Sequence, residues 1–513
     1  MNIELSNEQQ IAYNKYIQGK NIFITGPGGS GKSELIRKIF ENSKKNKKKI
    51  QITALTGRAA LLLNCEARTL HSWAGIGLGK GPIEQIIKKV CTNIRSLKNW
   101  KSTSVLVVDE VSMLSYKLFE LLDKIGRTIR GASHLPFGGI QLIFTGDFFQ
   151  LPPVGNRDDP ESSKFCFESE LWNETFDVNC QIQLKKIFRQ KDDEYAKILN
   201  QIREGKITRK SCDKLTEHVG RVISPDLLIK PTKLLPTRNQ VDTINSYEMA
   251  LIENSETVQY QIKFCNNLPM TEDEKKLRIH FSEAEIEYEL KYMHDNMVCD
   301  DIINIKIGAN VMCLINIPGI DDSPMLCNGS QGVVIRISAL GFPVVKFGNG
   351  CEREMGPHIW LSERIPGIGL SQIPLILAWA ITIHKSQGST LYAAEIDAGN
   401  GIFECGQTYV ALSRVKSLDG LYLTSFNPSK ILVNKKVKAF YANLNANLNY
   451  EPEPELEPEP EPEPKPKPEL EPEPEIKNIF SNFEYSETVS SRELEQEQSE
   501  VKEYELDPDN FEQ

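Results

Sequence analysis

At 513 residues the chain is long enough for about three domains, each with its own apolar core. Its net charge of −10 divides unevenly: residues 451–513 hold 22 acidic and 5 basic side chains, or −17, which leaves +7 for residues 1–450 and makes the body compatible with a nucleic-acid partner. The eleven cysteines contain no C-x-x-C, which argues against a zinc site or a disulfide framework, and the longest apolar run, near Ile373 to Ile383, falls short of the roughly 20 residues of a membrane span. With no signal-peptide pattern in MNIELSNEQQ, the expectation is a soluble intracellular protein in a reducing compartment; nucleus, cytoplasm and viral replication compartment all stay open.

The first chemistry-bearing stretch is IFITGPGGSGKS, residues 22–33, an apolar strand running into a glycine-rich loop. Gly26, Pro27, Gly28, Gly29, Ser30, Gly31, Lys32 and Ser33 fit G-x-x-x-x-G-K-[ST], in which side-chain-poor residues let backbone N–H groups face phosphate oxygens. Lys32 supplies the point charge and Ser33 a hydroxyl ligand for Mg²⁺. The ELIRKIF that follows has helical apolar spacing, so its first turn adds a positive dipole end to the same anion site.

Short apolar runs ending in Gly, Asp or Glu recur through the first 190 residues: IFITG, IQITALTG, SVLVVDE, IQLIFTGD and CQIQLKKIFRQ. Buried parallel strands whose carboxyl ends present chemistry read this way. In SVLVVDEVSM, Asp109 can hold Mg²⁺ through water and Glu110 is placed to polarise the attacking water of an in-line phosphoryl transfer. In GDFFQLPPV, Gln150 is placed to reach a γ-phosphate or its water as a neutral hydrogen-bonding sensor. Arg189 of IFRQ and Arg414 of ALSRV are candidates for the charge that stabilises the transferring phosphoryl group, as expected if nucleotide sits between two domains.

From about residue 190 a second α/β set follows, split by an insertion near 300–350 whose alternating apolar and polar residues predict a small antiparallel β-barrel. After Tyr450, alternating Glu and Pro cannot bury a core and predict an extended, polyproline-like chain. Phe480, Phe483, Tyr485, Tyr504 and Phe511 could give that tail a short motif for a protein partner, a plain disordered end being the simpler reading.

The ordered set LSNEQ, GPGGSGKS, ALTGRAA, TLHSWAGIG, VVDEVSM, PFGGIQLIFTGDFFQLPPV, FRQ, LLPTRN, NGSQGVV, ITIHKSQGSTL and YVALSRV, from about residue 5 to 427, resembles the Pif-type (petite integration frequency) DNA helicases, relatives of RecD in helicase superfamily 1. The resemblance implies an α/β fold of two RecA-like P-loop domains with parallel sheets, ATP in their cleft and single-stranded DNA across their tops. It implies ATP-dependent 5′→3′ translocation and unwinding of forked duplex DNA in replication, recombination, repair or telomere maintenance. The alternatives are a translocase that strips proteins or RNA without opening duplexes, and a nucleic-acid-binding scaffold.

In that frame residues 1–190 form the first domain, 191–299 and 376–445 the second, 300–375 the inserted barrel that helps enclose DNA, and 446–513 the tail. Gln9 matches the adenine-reading glutamine. Thr56 and Gly57, His71 and Ser72, and Thr382, His384 and Lys385 match positions that touch the strand, mostly through phosphates. Residues 115–135 fall where the family has its signature segment, and Trp73 and its neighbours are the expected wedge at the fork. The motifs begin almost at Met1, so a role carried by an N-terminal extension is expected to be absent or moved to the tail.

Overall fold

Six short strands rich in Ile, Val, Leu and Phe pair in parallel: β1 (Ile22–Thr25), β2 (Ile50–Ala54), β3 (Arg68–Thr69), β4 (Val105–Asp109), β5 (Gln141–Gly146) and β6 (Gln181–Gln183), in the order β3-β2-β4-β5-β1-β6. Every residue of β1 and β4 is buried, as both faces of a covered parallel sheet require. The computed structural model describes residues 5–448 apart from 64, 78, 80, 156–158, 191, 224–229, 254, 296, 298, 316, 318–325, 327–328 and 363–364, so the Glu/Pro-rich tail lies outside the described residues.

The helices on this sheet are α1 (Asn7–Ile17), α2 (Lys32–Lys45), α3 (Gly57–Leu63), α4 (Leu70–Ala74), α5 (Ile83–Thr92), α6 (Ile94–Ser102), α7 (Tyr116–Arg130) and α8 (Leu171–Thr175). Helix α7 occupies the segment matched to the family signature and starts at Ser115, whose side chain accepts the Leu118 N–H. Trp73, expected as a wedge, is fully buried, its ring centroid 4.5 Å from that of Trp100. A side chain enclosed this way is core and cannot meet a duplex, so that expectation is corrected.

The second half begins with α9 (Asp193–Glu204), α10 (Arg209–Thr216), β7 (Thr232–Leu235) and α11 (Arg238–Ala250). There follow β8 (Val258–Gln261), β9 (Lys263–Asn266), α12 (Glu272–Arg278), α13 (Glu283–Asp295), β10 (Ile302–Ile305), β11 (Asn310–Cys313), β12 (Gln331–Ile337), β13 (Pro343–Phe347), β14 (Glu352–Glu354), β15 (His358–Leu361), β16 (Ile368–Gln372) and β17 (Leu375–Leu377). The chain ends through β18 (Ala380–Thr382), α14 (Ile383–Ser386), β19 (Ala394–Ala398), α15 (Gln407–Leu412), β20 (Leu421–Phe426) and α16 (Lys435–Leu448). Strands β18-β7-β19-β20 form a second parallel sheet.

Between β7 and β18 the pairing is antiparallel throughout, in a five-stranded sheet β14-β13-β12-β11-β17, a three-stranded sheet β15-β16-β9 and the pair β10-β8. The antiparallel strands share one core with the second parallel sheet, in which Val311, Met312 and Phe347 join Leu234 and Ile396. Helix α16 departs from its expected place in the second domain. Val437, Tyr441 and Leu444 lie in the first sheet's core with Phe23, Phe148 and Trp172, and Phe440 packs against Phe167 with centroids 4.5 Å apart. The reason is apolar area: the Phe440 ring packs against Phe23, Phe148 and Trp172 with centroids 6.1, 5.3 and 6.2 Å away.

Candidate nucleotide site and nucleic-acid interface

Strand β1 delivers the chain into the phosphate loop, and α2 begins at Lys32 with Gly31 at its N-cap in the left-handed region. Gly29 (φ +85°) and Gly31 (φ +84°) are both positions that disfavour side chains. A Cβ on Gly29 would collide with that of Arg189, and one on Gly31 with the Gln9 carboxamide. The Lys32 ammonium donates to Gly26 O at 2.7 Å and Pro27 O at 3.0 Å. Burial pulls its pKa down, and the nearby Asp147, Glu110 and Asp109 carboxylates work the other way.

Asp109, at the end of β4, accepts a hydrogen bond from the Thr145 hydroxyl of β5. Glu110 follows at φ 57°, ψ 41°, a left-handed conformation that is uncommon without glycine and recurs at functional sites. Burial raises both carboxyl pKa values, and for Glu110 the adjacent Asp109 charge adds to it. Past β5, Gln150 is buried, its N–H donating to Asp147 O at 2.8 Å.

A cavity of about 460 Å³ brings together Gln9, Gly28, Gly29, Ser30, Gly31, Lys32, Ser33, Asp109, Glu110, Gln150, Arg189 and Arg414. Of the expected nucleotide residues only Gly26 and Pro27 stand behind its wall, where their carbonyls hold Lys32. Arg189 Nη1 donates to Ser413 O at 3.2 Å, and the nearly fully buried Arg414 is braced by Val410 O (2.7 Å), Ser389 O (3.2 Å) and Ser413 Oγ (2.7 Å). Gln9 has its carboxamide engaged at both ends: Oε1 accepts the Ser6 N–H at 2.9 Å in a capping box, and Nε2 donates to Gly31 O at 3.1 Å. These two bonds use one N–H and one oxygen lone pair of the carboxamide and leave a second N–H and a second lone pair beside the cavity.

The residues matched to DNA contacts fall at three places, all just beyond the carboxyl ends of parallel strands or at the last strand residue. Thr56 and Gly57 open α3, where the Thr56 hydroxyl accepts the Ala59 N–H at 3.1 Å. His71 and Ser72 line a small cavity with Lys89, Asn93, Tyr288 and Tyr292. Thr382, His384 and Lys385 line a larger one, about 690 Å³, with Arg238, Asn245 and Phe403. The Thr382 hydroxyl caps α14 by accepting the Lys385 N–H at 3.1 Å, and His384 stacks on Phe403 with centroids 6.3 Å apart. Burial lowers the pKa of His71 and of His384, so both rings are neutral at neutral pH.

Several site residues were not singled out from sequence. Phe188, next to Arg189, presents a half-exposed ring to the cavity beside Gly31. Gln387 Nε2 donates to Glu110 Oε2 at 3.2 Å and to Gln150 Oε1 at 3.4 Å. Tyr409 accepts the Gly28 N–H at 2.8 Å. Asp147, fully buried, is held by Arg203 through Nε–Oδ2 and Nη2–Oδ1 contacts of 2.8 Å each. The motif neighbours of Phe188, Gln387 and Asp147 were signal enough to flag them; their partners, far away in sequence, were not.

The family model of PIF1-like helicases matches residues 4–213. The ATP-dependent DNA helicase PIF1 of Emericella nidulans is 36% identical over 485 residues, covering 83% of this chain and 61% of that protein, so the chain spans about three fifths of this relative's length. The crystal structure of Pif1 helicase from Candida albicans superposes with TM-score 0.69 at 36% identity, covering 86% of this chain and all of that one. The Bacteroides Pif1 helicase in complex with ADP-AlF3 and single-stranded DNA superposes with TM-score 0.59 at 27% identity, over 88% and 98% of the two chains. With the phosphate loop, acid pair and arginines gathered at one cavity and these relatives matched along most of its length, the chain belongs to the PIF1-like helicase family.

Proposed function

We propose that this chain is an ATP-dependent DNA helicase that moves 5′→3′ on single-stranded DNA and opens forked duplexes. The observation that carries the reading is the single cavity to which the first parallel sheet contributes Lys32, Ser33, Asp109, Glu110 and Gln150, and the second half Arg414. The Bacteroides relative, whose structure holds a nucleotide analogue and single-stranded DNA together, supports it.

Nucleotide phosphates lie along the Gly28–Ser33 backbone with Lys32 as counter-charge, and Phe188 offers its ring to the base beside Gln9. Ser33 and Asp109 are hard oxygen donors in one cavity, a set that suits Mg²⁺, which when bound neutralises charge on the phosphate oxygens. Glu110 orients and deprotonates the attacking water, with Gln387 fixing its carboxylate and Gln150 beside it. Arg189 and Arg414 meet the transferring phosphoryl charge, so they tie hydrolysis to the distance between the two sheets.

The two parallel sheets are RecA-like domains in this reading, and the antiparallel strands of residues 300–375 are the small barrel inserted in the second, with β8 and β9 of the preceding segment pairing onto β10 and β16. Thr56, Gly57, His71, Ser72, Thr382, His384 and Lys385 grip the strand with hydroxyls, backbone N–H groups and one cation, a sequence-independent set. The deciding experiment is strand displacement with ATP and Mg²⁺ on partial duplexes bearing a 5′ or a 3′ single-stranded tail, beside Lys32→Ala. Opening of the 5′-tailed substrate alone, lost in the variant, is expected. Opening of only the 3′-tailed one overturns the polarity, and hydrolysis without opening of either makes the chain a translocase.

A further inference from the structure

Tyr409 stands in the first turn of α15, on the side of the cleft opposite the phosphate loop, and is buried. Its hydroxyl oxygen accepts the backbone N–H of Gly28, 381 residues earlier, at 2.8 Å. Tyr409 does not line the nucleotide cavity, whereas Gly28 does. The bond therefore reaches Gly28 from a residue outside the cavity's lining.

The same helix touches the first half a second time at its other end. Ser413 N–H donates to Tyr409 O at 2.9 Å, and Ser413 O accepts from Arg189 at 3.2 Å, one residue before Arg414. Around Gly28, the Arg189 Nη1 and Tyr409 hydroxyl would each lie 3.7 Å from a Cβ built there, and Ser413 Oγ 3.8 Å. One short helix and the turn that ends it thus carry both a hydroxyl anchored on the loop and, at Arg414, an arginine of the cavity wall. Burial pushes the Tyr409 pKa up, with the Asp147 carboxylate adding to it, so the hydroxyl stays neutral across the working pH range.

We infer that Tyr409 is a positioning residue through which α15 sets the phosphate loop as the cleft closes. When α15 advances with Arg414, the Gly28 N–H is held and the N–H groups that follow it are fixed in the arrangement that suits the transferring phosphoryl group. When α15 withdraws, the bond breaks and the loop relaxes around product. This rests on the ATP-hydrolysing reading above.

Tyr409→Phe keeps the ring and removes only the hydroxyl, and with it the acceptor for Gly28 N–H. The test measures binding of ADP and of ADP with aluminium fluoride to the full chain with Mg²⁺ and single-stranded DNA, beside DNA-stimulated phosphate release. Expected in the variant are an ADP affinity within about twofold of the parent, and an aluminium-fluoride complex weaker by about tenfold, the scale of one lost hydrogen bond. The kcat falls by a similar factor with KM for ATP unchanged. Wild-type values for both ligands overturn the inference, and so does a parallel loss of both, which marks a static brace. Deuterium uptake by the loop peptide around Gly28 in the unmutated protein provides a second reading that does not depend on the variant folding. Slower exchange with aluminium fluoride than with ADP alone is expected, and equal exchange overturns it. If the parent protein itself binds neither ligand, the ATP-hydrolysing reading has failed first; if it binds and hydrolyses while Tyr409→Phe matches it, only the role of Tyr409 falls.

Discussion

The Gln387 carboxamide, from the second half of the chain, donates to the carboxylate of Glu110, 277 residues earlier, at 3.2 Å. A carboxylate on a left-handed residue at a strand end is held from across the cleft, so the group proposed to activate water is set by both halves of the molecule. Gln387→Ala should lower kcat for DNA-stimulated ATP hydrolysis by about 10- to 100-fold, the range of a hydrogen bond to a charged group, and leave ADP affinity unchanged. Steady-state phosphate release beside equilibrium nucleotide binding checks it, and a loss of binding instead would place Gln387 in a purely architectural role.

Glu110→Gln keeps shape and hydrogen-bonding capacity but removes the carboxylate proposed as the base. Hydrolysis should fall by about 10²- to 10⁴-fold while nucleotide binding persists. Single-turnover hydrolysis measured beside fluorescent-nucleotide binding separates the two effects.

Trp73 is enclosed against Trp100 in the first sheet's core. Trp73→Ala should destabilise the fold by about 3–5 kcal/mol, whereas Tyr392→Ala, at a position 87% exposed, should change stability by no more than about 0.5 kcal/mol. Urea denaturation reads both. A Trp73→Ala protein of normal stability that fails only in unwinding would restore the wedge.

The Asp147–Arg203 pair is buried on both sides, with Phe149 and Tyr441 against the guanidinium at 4.5 and 5.1 Å. Burial by itself would lower the Arg203 pKa; the Asp147 charge and hydrogen bond outweigh it and raise it. Asp147→Asn leaves that cation without its counter-charge and should cost about 3–5 kcal/mol, part of which Asp147→Asn combined with Arg203→Met should recover. A double-mutant denaturation cycle with purely additive losses would contradict the coupling.

His71 and His384 are neutral because burial depresses their pKa below the unfolded value near 6.5. Below about pH 6.5 the unfolded chain binds protons that the folded one refuses, so stability falls as pH drops towards the depressed values, and above that range the two rings contribute no pH dependence. The melting temperature should therefore decline between pH 7 and 5, with a shallower decline in His71→Gln and in His384→Gln. Identical slopes in parent and variants would show that neither ring is held neutral.

Much of the first half was legible because its information is local. A parallel strand covered on both faces must be apolar throughout, and the loop after it must carry the glycines and charges that meet phosphate, so β1 with Gly26–Ser33 and β4 with Asp109 and Glu110 announce themselves. The antiparallel strands were legible as alternation, as in β12, where buried and partly exposed positions largely take turns. Their assortment into three sheets was not, because a register of two-residue period does not name the partner strand. Helix α16 was misplaced for the same reason: Val437, Phe440, Tyr441 and Leu444 show an apolar face without saying which sheet it covers.

The sequence by itself determined the motif residues: the glycine loop with Lys32 and Ser33, the carboxylates that follow β4, and the arginines at 189 and 414. What only the tertiary structure decided are the contacts between distant segments. Among these are Gln387 on Glu110, Tyr409 on Gly28, Arg203 on Asp147 and the burial of Trp73. The physical reason is that a motif records what a loop must do to its ligand over a few residues. The groups that hold the loop in place are chosen by packing between segments 56 to 381 residues apart, and that packing leaves no periodic mark in the chain.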